Sequence, residues 1–316
     1  MNSTDGPRVS VIVPMRNAEA FIEQTLFCIL SETSIALEVV VIDDLSTDRS
    51  REIVTGIHDN RIRVIVGSGT GIAAAMNSGL SAARGDIVMR CDADDLYPAG
   101  RIAEQLVWLD RNQDFVAVCG SFATIDSSGR AIVDLATGLA AEDITAELNL
   151  GHTRTCLCSY ALRKIALERI GGFRQYFETA EDIDFQLRLG SAGRVMYLPR
   201  VYYRYRLHQT SITHTQANIK RIFFEKTARD FQSQRRATGM DDLQRGNPPA
   251  IPEAKNNRAG KASLQISGML IGEAWRRHKN GDKIQAIWFG IRALAAAPQD
   301  FNLWRSVIAL VVKKAR

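Results

Sequence analysis

The sequence lacks the features of disulfide-rich secreted proteins and of membrane-spanning proteins. Its 316 residues include only five cysteines, an odd number, and only Cys156 and Cys158 lie close together. A structural zinc site needs four ligands, so this pair without a second one is a weak metal candidate. No run of about 20 apolar residues occurs, and no basic stretch followed by an apolar core opens the chain. We therefore expect reduced thiols and a cytoplasmic protein.

Charge is divided unevenly along the chain, although the net charge is only +5. Residues 1–199 contain 18 Lys and Arg against 27 Asp and Glu, whereas residues 200–316 contain 22 against 8. A basic half indicates an anionic partner, such as a membrane surface or a charged substrate. Nucleic acid is not expected, because the basic half lacks a zinc-finger signature, an RNP-type aromatic motif and a regular basic helix stripe.

Strand and helix signals alternate over the first two hundred residues. Short apolar runs predict four strands, at 9–13, 37–42, 62–66 and 87–89. Apolar residues at helical spacing predict helices between them, at 18–31, 48–57 and 72–83. Because these strands are almost wholly apolar, we expect a mostly parallel sheet with helices on both faces. Ligands bind such sheets beyond the carboxyl ends of the strands.

The remainder of the chain predicts strands at 115–122, 131–135 and 194–206 and helices at 141–150, 160–169 and 263–297. A helical hairpin is the favoured interpretation of 263–297, with a single tetratricopeptide unit as the alternative. Residues 301–316 predict either a docking helix or an interfacial membrane helix with Trp304 at the headgroups. We expect three parts: a catalytic domain (1–215), a helix with a polar linker (216–262) and a helical C-terminal extension (263–316).

Acidic side chains follow two of the predicted strands. Asp43 and Asp44 end the second strand, and Asp92, Asp94 and Asp95 follow the fourth. Capping of a helix explains one acid in each group but does not need three. Carboxylates are preferred ligands of Mg²⁺ and Mn²⁺, which complete their shells with phosphate oxygens and water. The strand ends therefore predict a divalent metal that carries a diphosphate.

A second acidic centre is the pair Glu181 and Asp182. The apolar residues after it fit a strand or a helix, and a helix is favoured because Thr179 resembles a capping-box residue and Gly190 suits a helix stop. An ionised carboxylate near a sugar can act as a general base. His208, which follows a predicted strand, could supply a further metal ligand.

These segments, in this order, resemble the family 2 glycosyltransferases of the GT-A fold over about residues 8–212. The resemblance rests on VSVIVPMRN (9–17), VVVIDDLSTD (39–48), GIAAAMNSGLSAARGDIVMRCDADD (71–95), Glu181-Asp182 and His208–Ser211. It implies an α/β fold with a mostly parallel Rossmann-like sheet flanked by helices. It also implies transfer of a sugar from a UDP- or GDP-type nucleotide-sugar to a glycan or lipid-linked acceptor, often with inversion. Bacterial surface or exopolysaccharide synthesis, at the inner face of the membrane, is the implied setting.

The resemblance also implies roles for individual residues. The donor-binding residues would be Pro14, Arg16, Asn17, Asp43, Asp44, Asn77, Asp92 and Ala93. The residues of the Mn²⁺ or Mg²⁺ site would be Asp94, Asp92, Asp95 and His208. Asp182 would be the general base, with Glu181 beside it.

The sequence departs from the family pattern at two positions and also fits three competing functions. Arg16 stands where an aromatic residue is frequent, so a guanidinium plane would replace the ring. Leu45 stands where glycine is usual, so the turn after Asp44 is expected to avoid positive φ.

Gly67–Gly71 resembles the loop of a dinucleotide-binding enzyme, but Ile72 occupies the place of its third glycine. The second competing function is a nucleotidyltransferase acting on sugar phosphates, and the third is a catalytically retired nucleotide-sugar-binding protein.

Overall fold

The computed structural model describes residues 6–135, 138–208, 218–253 and 262–313, which form two compact units. The first unit draws on Met1–Phe122, Leu135–Tyr205 and Ile219–Glu253. The second draws on Ala123–Asp134, Arg206–Asn218 and Ala254–Arg316. Gln209–Ser211 of the expected histidine motif, and the basic residues Lys314 and Arg316, lie outside the described residues.

A parallel half of the sheet opens the first unit. Its strands are β1 (Val9–Met15), β2 (Leu37–Asp43), β3 (Ile62–Val66) and β4 (Ile87–Arg90), in the order β3-β2-β1-β4. All three pairings are parallel, with Met15 level with Asp43. The connecting helices are α1 (Ile22–Leu30), α2 (Ser50–Gly56) and α3 (Ile72–Ala82). The carboxyl ends of β1 and β2 therefore lie side by side, as the sequence predicts.

The sheet continues as an antiparallel half, which makes it mixed. Beyond β4 the order of the described strands is β8-β5-β9-β7, with β6 on β5. These strands are β5 (Phe115–Ile125), β6 (Ala131–Leu135), β7 (Glu142–Asp143), β8 (Ala161–Arg163) and β9 (Arg194–Arg206). The helices of this region are α4 (Arg101–Arg111), α5 (Thr145–Asn149), α6 (Lys164–Ile170), α7 (Glu181–Ala192) and α8 (Asn218–Thr238). The helices expected at 141–150 and 160–169 thus each begin with a short strand.

Apolar residues are buried on both faces of the sheet. Val9, Val11 and Val13 pack on one side with α1, whereas Ile12 faces the other side with α3. This alternation follows from the two-residue repeat of a strand. It explains why β1 and β2 are apolar at almost every position, since neither face meets solvent.

Residues 239–253, expected to belong to a linker, have ordered contacts in the first unit. Arg174 donates to Asp241 Oδ2 at 2.6 Å and also pairs with Asp184 of α7. Phe224 and Phe231 of α8 belong to the same buried cluster as residues of α7. By compactness, Ile219–Glu253 groups with the first unit, and the three-part division at 215 and 262 stays a prediction.

The described residues of the second unit include the helices α9 (Ala262–Lys279), α10 (Lys283–Ala296) and α11 (Phe301–Val312). Asp282 and Asp300 cap α10 and α11 by accepting hydrogen bonds from Gln285 N and Asn302 N. Buried small residues, such as Ala286 and Ala293, allow close helix packing. Among the described helices, none is both long and apolar enough to cross a membrane.

Candidate active site

Side-chain hydrogen bonds join the loops that follow β1 and β2. Asn17 adopts a positive φ of 52°, a conformation in which asparagine is enriched. Its Oδ1 accepts a hydrogen bond from Thr47 N at 2.7 Å, and its N–H donates to Ser46 Oγ at 3.1 Å. The two loops are therefore held together at the edge where the sequence predicts a nucleoside pocket.

Asp43 and Asp44 are both buried, and each accepts a backbone hydrogen bond. Ser46 N donates to Asp43 Oδ1 at 3.0 Å, and Gly69 N donates to Asp44 Oδ1 at 2.7 Å. A Cβ atom on Gly67 would lie 2.6 Å from Asp44 Oδ1, so the loop after β3 needs glycine to approach this closely. The glycines that resemble a dinucleotide-binding loop thus serve to hold Asp44.

The expectation for Leu45 is wrong. Leu45 has a φ of 61°, the positive value that the absence of glycine was expected to prevent. Its side chain is half exposed, so packing does not compensate fully for a conformation that costs a non-glycine residue about 1–2 kcal/mol. The hydrogen bonds around Asp43 and Asp44 fix the turn on both sides, and the local strain is tolerated for that reason.

The acidic loop after β4 is anchored from inside the protein. Tyr203 Oη donates to Asp95 Oδ2 at 2.5 Å and accepts from Asp92 N at 3.0 Å. Thr25 Oγ1 lies 3.0 Å from Ala93 O and 2.9 Å from Asp95 O. Asp95 is fully buried by these contacts, which gives it a supporting position under the loop.

Arg90, the last residue of β4, connects the two acidic centres. Its Nε lies 2.7 Å from Asp92 Oδ1 and its Nη2 lies 3.3 Å from Asp92 Oδ2, so the pair is bidentate. Its Nη1 lies 3.1 Å from Glu181 Oε1. Burial alone would lower the pKa of the guanidinium, but the charges of Asp92 and Glu181 raise it well above its ordinary value. The acidic loop and the start of α7 therefore share one buried cation.

The Glu181–Asp182 pair begins α7, which confirms the helix preferred over a strand. The N-cap is Ala180, with a φ of 58° and no side-chain cap, so the expected capping role of Thr179 is wrong. Gly190 lies inside the helix, which ends at Ala192. Acids in the first turn interact favourably with the helix dipole.

Glu181 and Asp182 differ in their surroundings. Glu181 is buried, and its pKa is raised by this burial and by the charge of Asp182, while Arg90 opposes the shift. Asp182 is half-buried. The pKa of the nearby Cys156 thiol is raised to about 12, mainly by burial, and the charge of Asp182 contributes to this shift. Asp182 thus presents a partly accessible carboxylate, and Glu181 is the buried member of the pair.

The other predicted site residues have varied positions. Pro14 is buried in β1, and Arg16 is exposed just after it. The side-chain amide of Asn77 makes two hydrogen bonds with the backbone of Phe173. Its Nδ2 donates to Phe173 O at 2.8 Å, and its Oδ1 accepts from Phe173 N at 2.8 Å. These bonds join α3 to the segment before α7, and a donor contact of Asn77 stays a prediction.

A divalent metal fits this site only with few protein ligands. Within residues 6–135, 138–208, 218–253 and 262–313, no three His, Cys, Asp or Glu side chains cluster as a metal site. Asp95 is bonded to Tyr203, Asp92 is paired with Arg90, and Asp94, which lies between them in the sequence, is half-buried. His208 is half-buried beyond β9 and belongs to the second unit. The donor set fits an ion that arrives on a diphosphate and takes Asp94 as a ligand.

Sequence reasoning missed the residues that organise the acids. These are Arg90, Tyr203 and Thr25, none of which is acidic or was assigned a role from the sequence. The one available signal was Arg90 itself, because a charged residue that closes a buried apolar strand needs a partner. Tyr203 lies more than a hundred positions from Asp95, so no local pattern could connect them.

Comparison with known proteins assigns the family. Residues 10–171, just over half of the chain, match Glycosyl transferase family 2. The chain belongs to this family. The expected glycosyltransferase resemblance is thereby confirmed, and neither a dinucleotide-binding enzyme nor a nucleotidyltransferase is supported.

Relatives of this family 2 chain include proteins named for polysaccharide synthesis. It is 32% identical over 218 residues to the uncharacterized glycosyltransferase EpsJ of Bacillus subtilis, covering 66% of this chain and 63% of that protein. It is 26% identical over 223 residues to chondroitin synthase of Pasteurella multocida, covering 69% of this chain but only 22% of the synthase. The chain thus spans less than two thirds of either relative.

Solved structures confirm the fold class. Staphylococcus aureus TarS 1–349, in complex with UDP-GlcNAc, superposes with a TM-score of 0.61 at 18% identity. The superposition covers 96% of this chain and 83% of the TarS chain. At this identity the similarity establishes the fold alone, a mixed α/β sheet with flanking helices and a helical C-terminal region.

Proposed function

We propose that this protein transfers a sugar from a UDP- or GDP-type nucleotide-sugar to an acceptor hydroxyl, with inversion, in surface or exopolysaccharide synthesis. The observation that carries the proposal is the Arg90 bridge, at 2.7 Å to Asp92 and 3.1 Å to Glu181. It brings a strand-end acidic loop, suited to a donor, beside a helix-start acid pair, suited to a base. TarS was solved with UDP-GlcNAc and with UDP, which supports a nucleotide donor.

On the donor side, the joined loops after β1 and β2 would receive the nucleoside. Buried Asp43 and Asp44 would accept hydrogen bonds from the base, and the exposed guanidinium of Arg16 would stack on it or contact a phosphate. Asp92, with Ala93 beside it, would contact the ribose.

Asp94 would hold the divalent ion on the diphosphate, with Asp95 supporting the loop, and a ligand role of His208 stays a prediction from the sequence. Such an ion, when bound, neutralises charge that grows on the leaving diphosphate. The acidic loop is suited to this task because Asp94 lies between two anchored neighbours, Asp92 and Asp95.

Asp182 would remove the proton from the acceptor hydroxyl as its oxygen attacks the anomeric carbon, and the nucleoside diphosphate would leave on the opposite side. Glu181 would stand beside Asp182 as the buried member of the pair, and its own pKa is raised by burial and by the charge of Asp182. General-base assistance of this kind typically contributes about 10²–10⁴-fold in rate.

Asp182→Asn tests the proposed reaction, with UDP-sugar or GDP-sugar consumption as the assay. We expect transfer to fall by about 10²–10⁴-fold, because the amide cannot accept the proton. Donor affinity, measured by calorimetry with Mn²⁺, should remain within a few-fold of the wild type. Asp94→Ala is the matched variant on the donor side, and it should weaken nucleoside diphosphate binding in Mn²⁺. Full turnover by Asp182→Asn would remove the base assignment.

For the acceptor, we propose a lipid-linked glycan reached at an anionic membrane surface. Two helices of the second unit expose apolar faces: Ile284, Trp288 and Ile291 on α10, and Phe301, Trp304, Ile308 and Val312 on α11. Residues 254–316 carry 12 Lys and Arg against 3 Asp and Glu. Two copies with this charge would repel each other, whereas anionic lipid would attract it.

Vesicle co-sedimentation tests the membrane contact. Wild-type protein should sediment with vesicles that contain phosphatidylglycerol and less with phosphatidylcholine alone. Trp304→Ser with Ile308→Ser should abolish this binding, because both side chains are exposed and would enter the headgroup region. Phe27→Ser, which changes an exposed aromatic residue of α1, is the control and should still sediment. Equal sedimentation by all three proteins would contradict the proposal.

A further inference from the structure

Three ionic contacts converge on the guanidinium of Arg90. Two of them hold both oxygens of Asp92, at 2.7 and 3.3 Å, and the third reaches Glu181 at 3.1 Å. The Arg90 side chain is 11% exposed and that of Glu181 is 9% exposed. Solvent screening at this contact is therefore weak, and its geometry is more constraining than that of a surface ion pair.

The backbone of Arg90 is fixed as well. Tyr97 Oη donates to Arg90 O at 2.7 Å, and the strand residue level with Arg90 is Ile12 of β1. Arg101 stacks over the Tyr97 ring at 3.9 Å, which holds this ring in turn. Arg90 is thus a rigid support that projects one planar donor group between two elements.

Other charged or ionisable groups face the same place. Cys158 Sγ lies 3.7 Å from Asp92 Oδ2, and Asp182 acts on Glu181 through its charge. The guanidinium of Arg90 is the cation that opposes the charge of Asp182 on Glu181. Without Arg90, Asp92 and Glu181 would lose the guanidinium that contacts both of them.

We infer that Arg90 is the positioning residue that couples the donor-side Asp92 to the base pair at the start of α7. This inference rests on the proposed function. Arg90 is assigned no contact with the sugar or the diphosphate, since its Nε, Nη1 and Nη2 already serve protein carboxylates. Its effect is to fix the distance between the carboxylate of Asp92, on the donor side, and that of Glu181, beside the base.

A residue with this role should affect donor binding and turnover together. Arg90→Met keeps the length of the side chain and removes all three contacts. We expect kcat to fall by about 10²-fold, as for a displacement of a catalytic group by about 1 Å. The donor KM should rise in the same variant, because Asp92 loses its bidentate partner. Glu181→Gln should lower kcat while leaving the donor KM within about twofold of the wild type.

The double variant Arg90→Met/Glu181→Gln distinguishes coupling from two separate effects. If Arg90 acts on turnover through Glu181, the kcat of the double variant should lie within about threefold of Arg90→Met alone. Multiplication of the two single losses would overturn the inference. Removal of both charges also guards against a variant that fails to fold with Glu181 buried and unpaired.

Arg63→Met is the matched structural control. Arg63 Nη1 pairs with buried Glu38 Oε2 at 2.7 Å, on strands that carry none of the base residues. This variant should lose stability and keep both kinetic constants. If Arg90→Met behaves in the same way, Arg90 is a structural residue only. The proposed function then still stands on the Asp182→Asn result, so the two failures are distinguishable.

Discussion

Two arginine–glutamate pairs, each with a buried glutamate and an arginine from a strand of the sheet, shift the glutamate pKa in opposite directions. Near the start of β2, Glu38 accepts hydrogen bonds from Ser10 Oγ, Arg84 N and Arg63 Nη1, each at 2.7 Å. Burial alone would raise the pKa of Glu38, but these three donors lower it below its ordinary value. At the start of α7, Glu181 lies 3.1 Å from Arg90 of β4, and its pKa is raised, first by burial and then by the charge of Asp182. The first pair is satisfied, whereas the second retains excess negative charge.

The backbone differs between the same two regions. The described non-glycine residues with positive φ are Asn17, Leu45 and Ala180. They follow β1, follow β2 and precede Glu181, so all three adjoin the candidate site. Strain and uncompensated charge both cost stability, and they persist where function requires a particular geometry. On this view the amino ends of the strands stabilise the fold, and the carboxyl ends, where the candidate site lies, bear a cost in stability.

The largest effect that tests this contrast is expected from the two glutamates. Glu38→Gln should destabilise the protein by about 1–3 kcal/mol at pH 7, because three donors lose an ionised acceptor. Glu181→Gln should leave stability unchanged or raise it, since the amide relieves repulsion with Asp182 while Arg90 keeps Asp92. Urea denaturation of both variants measures the difference. Equal losses would show that the two pairs are alike.

The pH dependence of stability in these variants shows whether ionisation of each glutamate stabilises or destabilises the folded protein. A depressed folded pKa makes Glu38 stabilising above its unfolded value of about 4.3, and this contribution is lost as the pH falls through the folded pKa. The deficit of Glu38→Gln should therefore shrink in acid. Because the folded pKa of Glu181 is raised, its ionisation costs stability, and this cost grows as the pH rises above the unfolded value of about 4.3. Any gain of Glu181→Gln should therefore vanish below about pH 4. A gain that persisted in acid would contradict the assignment to Glu181 ionisation.

The parallel half of the sheet could be predicted because its signals are local. Strand β3 at Ile62–Val66 and helix α3 from Ile72 follow directly from apolar runs and helical spacing. Strand β8 could not be found in this way, because three residues gain strand character only by pairing with β4 and β5. Tertiary pairing overrides local propensity in such short segments.

The acidic residues of the candidate site could be predicted from the sequence, whereas the residues that hold them in place could not. Asp92, Asp94 and Asp182 are conspicuous because clustered carboxylates need an explanation. Arg90 ends an apolar strand and resembles an ordinary strand terminus, and its partner Glu181 is 91 positions away. The positive φ of Leu45 was missed since a residue type reports a preference, whereas hydrogen bonds on both sides decide the conformation.

The smallest expected effect comes from substitutions at Leu45, which test whether the backbone is strained after β2. Leu45→Gly and Leu45→Ala remove the same half-exposed side chain, but only alanine keeps a Cβ atom at a φ of 61°. The difference between them isolates the backbone, and Leu45→Gly should be more stable than Leu45→Ala by about 1 kcal/mol. The greater freedom of glycine in the unfolded chain reduces this margin. If the strained turn prepares the donor loop, Leu45→Gly should also bind UDP or GDP more weakly than the wild type, by calorimetry, despite its relaxed backbone. An alanine variant as stable as the glycine variant would show that this turn stores no strain, and that Leu45 does not contribute to the contrast between the two ends of the strands.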